Sequence, residues 1–177
     1  MKTIKKIVKI RLLTPADCPA LLDFETRNRG WFEQHVALRG EAFYTRAGVE
    51  QHIAELLAAH AQGRWFPALL LDEAGVIVGR SNLKDVDSLA GVAELGYRVG
   101  QDQAGAGVAT AAVVQMKALA MQELGLRRLV AVASPANPAS ARVLEKCGFV
   151  RLDPAASEAL RGKDPELIAY QCDLNLD

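Results

Sequence analysis

Residues 96–125 constrain this chain more than any other stretch. Gly96-Tyr-Arg-Val99 reads as the end of a strand and Gly105-Ala-Gly-Val-Ala-Thr110 as a glycine-rich turn. Residues 108–124 read as a long, Ala-rich helix with few charges, stopped by Gly125. So apolar a helix is expected to pack against a sheet. Its first turn carries N–H groups without intrahelical partners, at the positive end of the helix dipole. Gly105 and Gly107 have no Cβ, so a ligand can approach the main chain there. Together these make a pyrophosphate cradle that needs no Lys or Arg. A tight strand–helix connection would use the same glycines for steric reasons alone. Two other phosphate motifs fail. The dinucleotide pattern needs Gly or Ala at position 110, where Thr stands, and an acid about twenty residues on. The P-loop needs Gly-Lys-Ser/Thr, which is absent.

The remaining pattern places this unit in an α+β plan. Residues 7–13 read as a strand. Thr14-Pro15-Ala16-Asp17 reads as a helix start, opening a helix over residues 15–26. Residues 27–44 look irregular and carry Trp31, Phe32, Phe43 and Tyr44. From Thr45 a second helix sets Val49, Ile53, Leu56 and Leu57 on one face. Strands at 65–71, 76–83 and 92–99, with turns at 72–75 and 87–91, predict an antiparallel meander. After the long helix come a strand at 129–133, a helix at 137–147, and strands at 149–152 and 167–174. The order β-α-α-β-β-β-α-β-α-β-β implies a mixed sheet in a single domain spanning 1–177.

Composition limits the partners. Lys+Arg and Asp+Glu both total 21, so the formal net charge is zero. That balance disfavours a nucleic-acid binder. It does not exclude one anion held by main-chain dipoles. The basic N-terminus lacks an apolar run and a cleavage site, and no stretch of about 18 apolar residues occurs. The expectation is a cytoplasmic protein away from membranes. Cys18, Cys147 and Cys172 are widely spaced, and no metal-ligand cluster is visible. His52 and His60 read as surface residues of the second helix.

A second helix start sits at Asn137-Pro-Ala-Ser140. Asn137 suits the N-cap, Pro138 the first helical position, and Gly148 the residue beyond the end. Taken with the glycine turn, the chain resembles the GNAT acyl-CoA N-acyltransferases. More narrowly, it is similar to the RimJ/RimL ribosomal-protein alanine N-acetyltransferase subgroup. The resemblance is carried by Glu94-Leu-Gly-Tyr97, by Gly105-Ala-Gly-Val-Ala-Thr110, and by Asn137-x-x-Ser140 through Lys146-Cys-Gly-Phe149. It extends over nearly the whole chain through the order of elements.

The resemblance implies a mixed, mostly antiparallel sheet flanked by helices, with a splayed cleft for acetyl-CoA and no metal. The cofactor loop would fall on Ala104, Gly105, Ala106, Gly107, Val108, Ala109 and Thr110. Main-chain N–H of Arg98 or Val99 would meet the thioester carbonyl. Asn137 would bond the pantetheine arm or order its turn, and Lys146 would reach a CoA phosphate or stay solvated. Where the family often has Gln or Arg, this chain has Ala104, with Gln103 one residue earlier. No Tyr lies between Ser140 and Cys147. Ser140 is then the expected proton donor to the leaving thiolate, with helix capping as its other role. Glu94 is the expected base, directly or through water, or else a solvent-facing strand residue. Tyr97 matches the Gly-Tyr pair or fills core. Trp31, Phe32 and Tyr44, with Glu94, would hold the amine acceptor, or the aromatics would pin a long loop.

The implied reaction is transfer of an acetyl group to a primary amine, on a protein N-terminus or a small amino compound. The alternatives are a non-catalytic CoA-sensing or partner-binding domain on the same fold, and a nucleotide-binding regulatory module. A monomer or a homodimer is expected.

Overall fold

Seven strands form one sheet in the order β1-β2-β3-β4-β5-β7-β6. The computed structural model describes residues 8–36, 38–162 and 164–174. Residue 7 of the expected first strand, and the basic residues before it, lie outside these. The strands are β1 Lys9–Leu12, β2 Phe66–Leu71, β3 Ile77–Asp87, β4 Val92–Val99, β5 Arg128–Ala133, β6 Val150–Arg151 and β7 Ile168–Asp173. Every neighbouring pair is antiparallel except β4–β5. The predicted meander is β2-β3-β4. At its first turn Asp72 Oδ1 accepts from the Ala74 and Val76 amides, an Asx-type turn that needs no tertiary support.

Two layers of helix cover the sheet. One holds α1 (Cys18–Arg27) and α3 (Arg46–Ala61); the other holds α4 (Val108–Gln122) and α5 (Pro138–Lys146). Strand alternation sorts the core between them. On β2, Leu69 and Leu71 pack with Leu21, Phe24, Val49 and Ile53. Leu70 packs with Val108 and Ala112 of α4, while Ala68 joins Leu95, Val113, Met116 and Leu129. The low charge of α4 is explained by this contact: Val108, Ala112, Val113, Met116 and Ala120 are all buried.

Several boundaries differ from the sequence expectation, each for a local reason. The first helix begins as a 3-10 turn, Pro15–Asp17. The Asp17 carboxylate accepts from the Thr14 amide and hydroxyl and from Arg11. The segment 27–44 is not irregular throughout. It contains α2 (Arg29–Phe32) and a 3-10 turn, Glu41–Tyr44. Strand β3 runs on to Asp87 through an irregularity at Asp85, which takes a φ of 49°. A short helix, α6 (Glu158–Arg161), precedes β7. Strand β7 inserts between β5 and β6, an arrangement that chain order does not announce.

The parallel β4–β5 pair positions the site. It holds over three register pairs only, ending at Glu94↔Val130. Beyond them β4 stays on β3, through Gly79↔Val99, and β5 stays on β7, through Ala133↔Ile168. The sheet parts, and a wedge opens between residues 95–99 and 131–133.

Candidate active site

A cavity of about 690 Å³ occupies the mouth of this wedge. One wall is the end of β4 with the loop into α4, the second is the first turn of α5, and the third is α2 with His35 and Val36. The Gly100 amide donates to the Val78 carbonyl. Main-chain groups alternate sides along an antiparallel strand. The N–H of Arg98 therefore points to β3, whereas those of Tyr97 and Val99 point into the wedge. The Val99 carbonyl, on the same side, accepts from Trp31 Nε1 at 3.1 Å. Of the two amides proposed from sequence, Val99 is the one that faces the gap.

The glycine loop closes the cavity on the α4 side. Gly105 and Gly107 have φ of 74° and 80°, a conformation that side chains disfavour. A Cβ added to either would meet no protein atom within 4 Å. What these glycines keep clear is thus open space in front of the main chain, not room for packing. Gly107 is the residue from which α4 starts, so the unpaired amides of the first turn open onto this space. Such a surface fits a pyrophosphate. Gln103, Ala104, Gly105, Gly107, Val108, Ala109 and Thr110 all line it. Ala106 does not, and packs beside Val8, Leu70 and Val108.

On the α5 wall, Asn137 caps the helix by accepting from the Ser140 amide at 3.2 Å. That use of the Ser140 main chain leaves its hydroxyl for other work. Ser140 Oγ lies 3.0 Å from the Tyr97 hydroxyl. Burial pushes Tyr97 up to about 12, against a lowering effect of the Ser140 contact. Tyr97 is thus protonated at neutral pH, and its O–H can donate to Ser140 Oγ or to the Ser140 carbonyl, 3.2 Å away. Lys146 is exposed at the rim. Arg142 lines the cavity too; sequence reasoning passed over it because it looked like any solvated helix charge.

The predicted acceptor residues divide. Trp31 and Phe32 line the cavity; Tyr44 does not. Tyr44 packs edge-on against Phe43 and under Arg29. Glu94 lies outside the lining and pairs with Lys84 at 2.6 Å. It shares the α1-facing side of β4 with Gly96 and Arg98.

A charged cluster beside the cavity was not anticipated. Glu25 of α1 is wholly buried and pairs with Arg80 at 2.6 Å and Arg98 at 3.3 Å. Burial would raise the Glu25 carboxyl, but the two guanidiniums outweigh it and hold it below its ordinary value. His52 is not the surface residue expected: it is half-buried, with Nε2 2.9 Å from Arg80. Burial, then the Arg80 and Arg39 charges, push it down to about 3, so it is neutral. His60 is half-buried as well, and its Nδ1 lies 2.8 Å from the Trp65 carbonyl.

Among the described residues no three His, Cys, Asp or Glu side chains cluster as a metal set, all three cysteines are unpaired, and no helix is long and apolar enough to cross a membrane.

Comparison with known proteins fits this geometry. Residues 8–150 match the acetyltransferase (GNAT) domain family. The probable N-acetyltransferase YjcK of Bacillus subtilis (strain 168) is 30% identical over 146 residues, 81% of each chain. The ribosomal-protein-S5-alanine acetyltransferase of Vibrio fischeri superposes with a TM-score of 0.81 at 22% identity, covering 95% of this chain and 93% of that one. RimJ of Mycobacterium smegmatis, solved with CoA-disulfide, also gives 0.81, at 20% identity over 96% and 83%.

Proposed function

The chain belongs to the GNAT acetyltransferase family, and on that premise we propose that it moves the acetyl group of acetyl-CoA onto a primary amine by direct attack on the thioester. The acceptor is a protein N-terminus or a small amino compound. One observation carries the reading: a single cavity joins the Val99 amide, the glycine loop at the start of α4, and the Ser140–Tyr97 pair.

Each piece answers a need of the chemistry. The pyrophosphate of acetyl-CoA would rest on the first-turn amides of α4, with Arg142 and Lys146 near the rim for phosphate charge. Asn137 orders the turn that faces the pantetheine arm. As the amine nitrogen bonds to the carbonyl carbon, charge builds on the thioester oxygen, and the Val99 N–H is placed to receive it. The carbon–sulfur bond breaks and the thiolate needs a proton. Ser140 supplies it, Tyr97 passes its own proton to Ser140, and the proton released by the amine returns to Tyr97 through solvent. The amine must lose a proton, and Glu94, which pairs with Lys84 outside the cavity lining, is the proposed base, acting through water. Trp31 and Phe32 wall the acceptor end, while Tyr44 lies outside it, packed on Phe43. The unpaired thiols suit a reducing cytoplasm.

Incubation with acetyl-CoA and a panel of amines, followed by free thiol, tests this. Thiol release that depends on the amine is expected. Calorimetry showing no CoA binding at millimolar ligand overturns it. Ser140→Ala is expected to lower kcat about a hundredfold, with a small change in the KM for acetyl-CoA. An unchanged kcat removes Ser140 from the chemistry.

A further inference from the structure

Arg80 and Arg98 are register partners on β3 and β4, so two like charges face one another across the sheet, a destabilising arrangement without a counter-charge. Glu25 supplies one negative charge between them. A third guanidinium, Arg39, lies over the Phe43 ring at 4.0 Å and makes no ion pair among the described residues. Three guanidiniums against one carboxylate leave two positive charges in surplus. Glu33 and Glu41 share the single charge of Arg29, which leaves one negative charge to offset one of the two and keeps the group net positive. His52, neutral beside Arg80, adds no charge. Burial first, and then repulsion from Arg98, lower Arg39 to about 10, while Glu25 works the other way. On the same face of β3, Asn82 Oδ1 is buried with no partner among the described residues.

We propose that the acceptor amine belongs to a molecule carrying a carboxylate, which Arg39 and Arg98 hold on the α1 side of β4. This rests on the acetyl-transfer reading of the cavity. Unmatched positive charge in a half-buried site calls for an anion. The planar fork of guanidinium suits a carboxylate. The anion is not a CoA phosphate, because the phosphate cradle lies at α4, on the opposite face of the sheet from Glu25 and Arg98. Arg98 lines the cavity beside Phe32, 5.0 Å from its ring. A carboxylate there is held within reach of the wedge where the amine must react.

Twin acceptors that differ in one charge test the proposal. Alanyl-glutamate and alanyl-glutamine, both C-terminally amidated, present a side-chain carboxylate or its neutral twin. Free alanine and alaninamide present the main-chain version. The intact protein is given acetyl-CoA and each acceptor, and binding of each acceptor to the CoA-loaded protein is measured by calorimetry. In at least one pair the carboxylate form is expected to have a kcat/KM at least tenfold higher, mainly through KM; the pair that shows it identifies the source of the carboxylate. Arg39→Gln should bring that ratio to within about threefold, Arg39→Lys should restore part of it, and Arg39→Glu should invert it. Arg39 is partly exposed, and melting curves verify that the variants fold. Equal binding of both twins in both pairs overturns the proposal, whatever the turnover. Arg39-dependent binding of the carboxylate twin without thiol release supports the anion site and overturns the acetyl-transfer reading instead.

Discussion

At the α4 end of the cavity, the groups that would meet a ligand are main-chain amides brought together by two left-handed glycines. At the α1 end the proposed groups are side chains, Arg98 of β4 and Arg39 of a loop, with Glu25 and Arg80 buried behind Arg98. The first arrangement costs little to hold. Helix amides carry no net charge, and no side chain must be ordered to present them. The second is stable only as a set, since each buried charge depends on its partners. On the proposed reading the first end is fixed in what it binds, and the second can change specificity only at a charge outside the buried set, such as Arg39.

Three substitutions break or sharpen that contrast. The largest effect is expected at Glu25→Ala, which leaves Arg80 buried without its carboxylate. Unfolding in urea should show a loss of about 3–5 kcal/mol. The exposed Arg27–Asp23 pair on the same helix is the control, where Asp23→Ala should cost under about 1 kcal/mol. Equal losses at both positions would mean that the cluster is not held as a set. Next comes Gly107→Val, which fills the open space before the cradle and forces a β-branched residue to a φ of 80°. CoA affinity should fall about a hundredfold, near 2.7 kcal/mol, with a modest drop in melting temperature. Unchanged affinity would move the phosphates elsewhere.

The smallest effect concerns His52. Its folded-state value, about 3, lies below the ordinary 6.5, so the unfolded chain takes up the proton first. Its contribution to stability is complete above about pH 6.5 and falls as pH drops toward 3. The melting temperature of His52→Gln should depend less on pH between 7 and 5 than that of the parent chain. Identical profiles would place His52 outside the cluster.

The same contrast explains what the sequence made legible. Gly105, Gly107, Asn137 and Gly148 act through their own neighbours, so their turns and caps can be read locally. The meander follows from short turns such as Asp72–Gly75. Glu25 lies 55 residues from Arg80 and 73 from Arg98, and nothing in a linear reading couples them. Glu25 looks like an ordinary helix charge, and His52 like part of the polar face of α3. Helix α2 was missed because four residues around Gly30 give no periodicity. The wedge itself needs the registers of β5 with β7, which depend on an insertion that chain order conceals.

A sheet normally has two edges, both at its outer rim. Because β4 and β5 separate after Glu94 and Val130, this one has a second pair at its centre. Exposed strand edges recruit other strands and lead to aggregation. Here the extra edges are recessed between α2, the glycine loop and α5. The fold therefore carries the adhesive chemistry of an open edge in a recess, where on the proposed reading a slender, chain-like guest would use it.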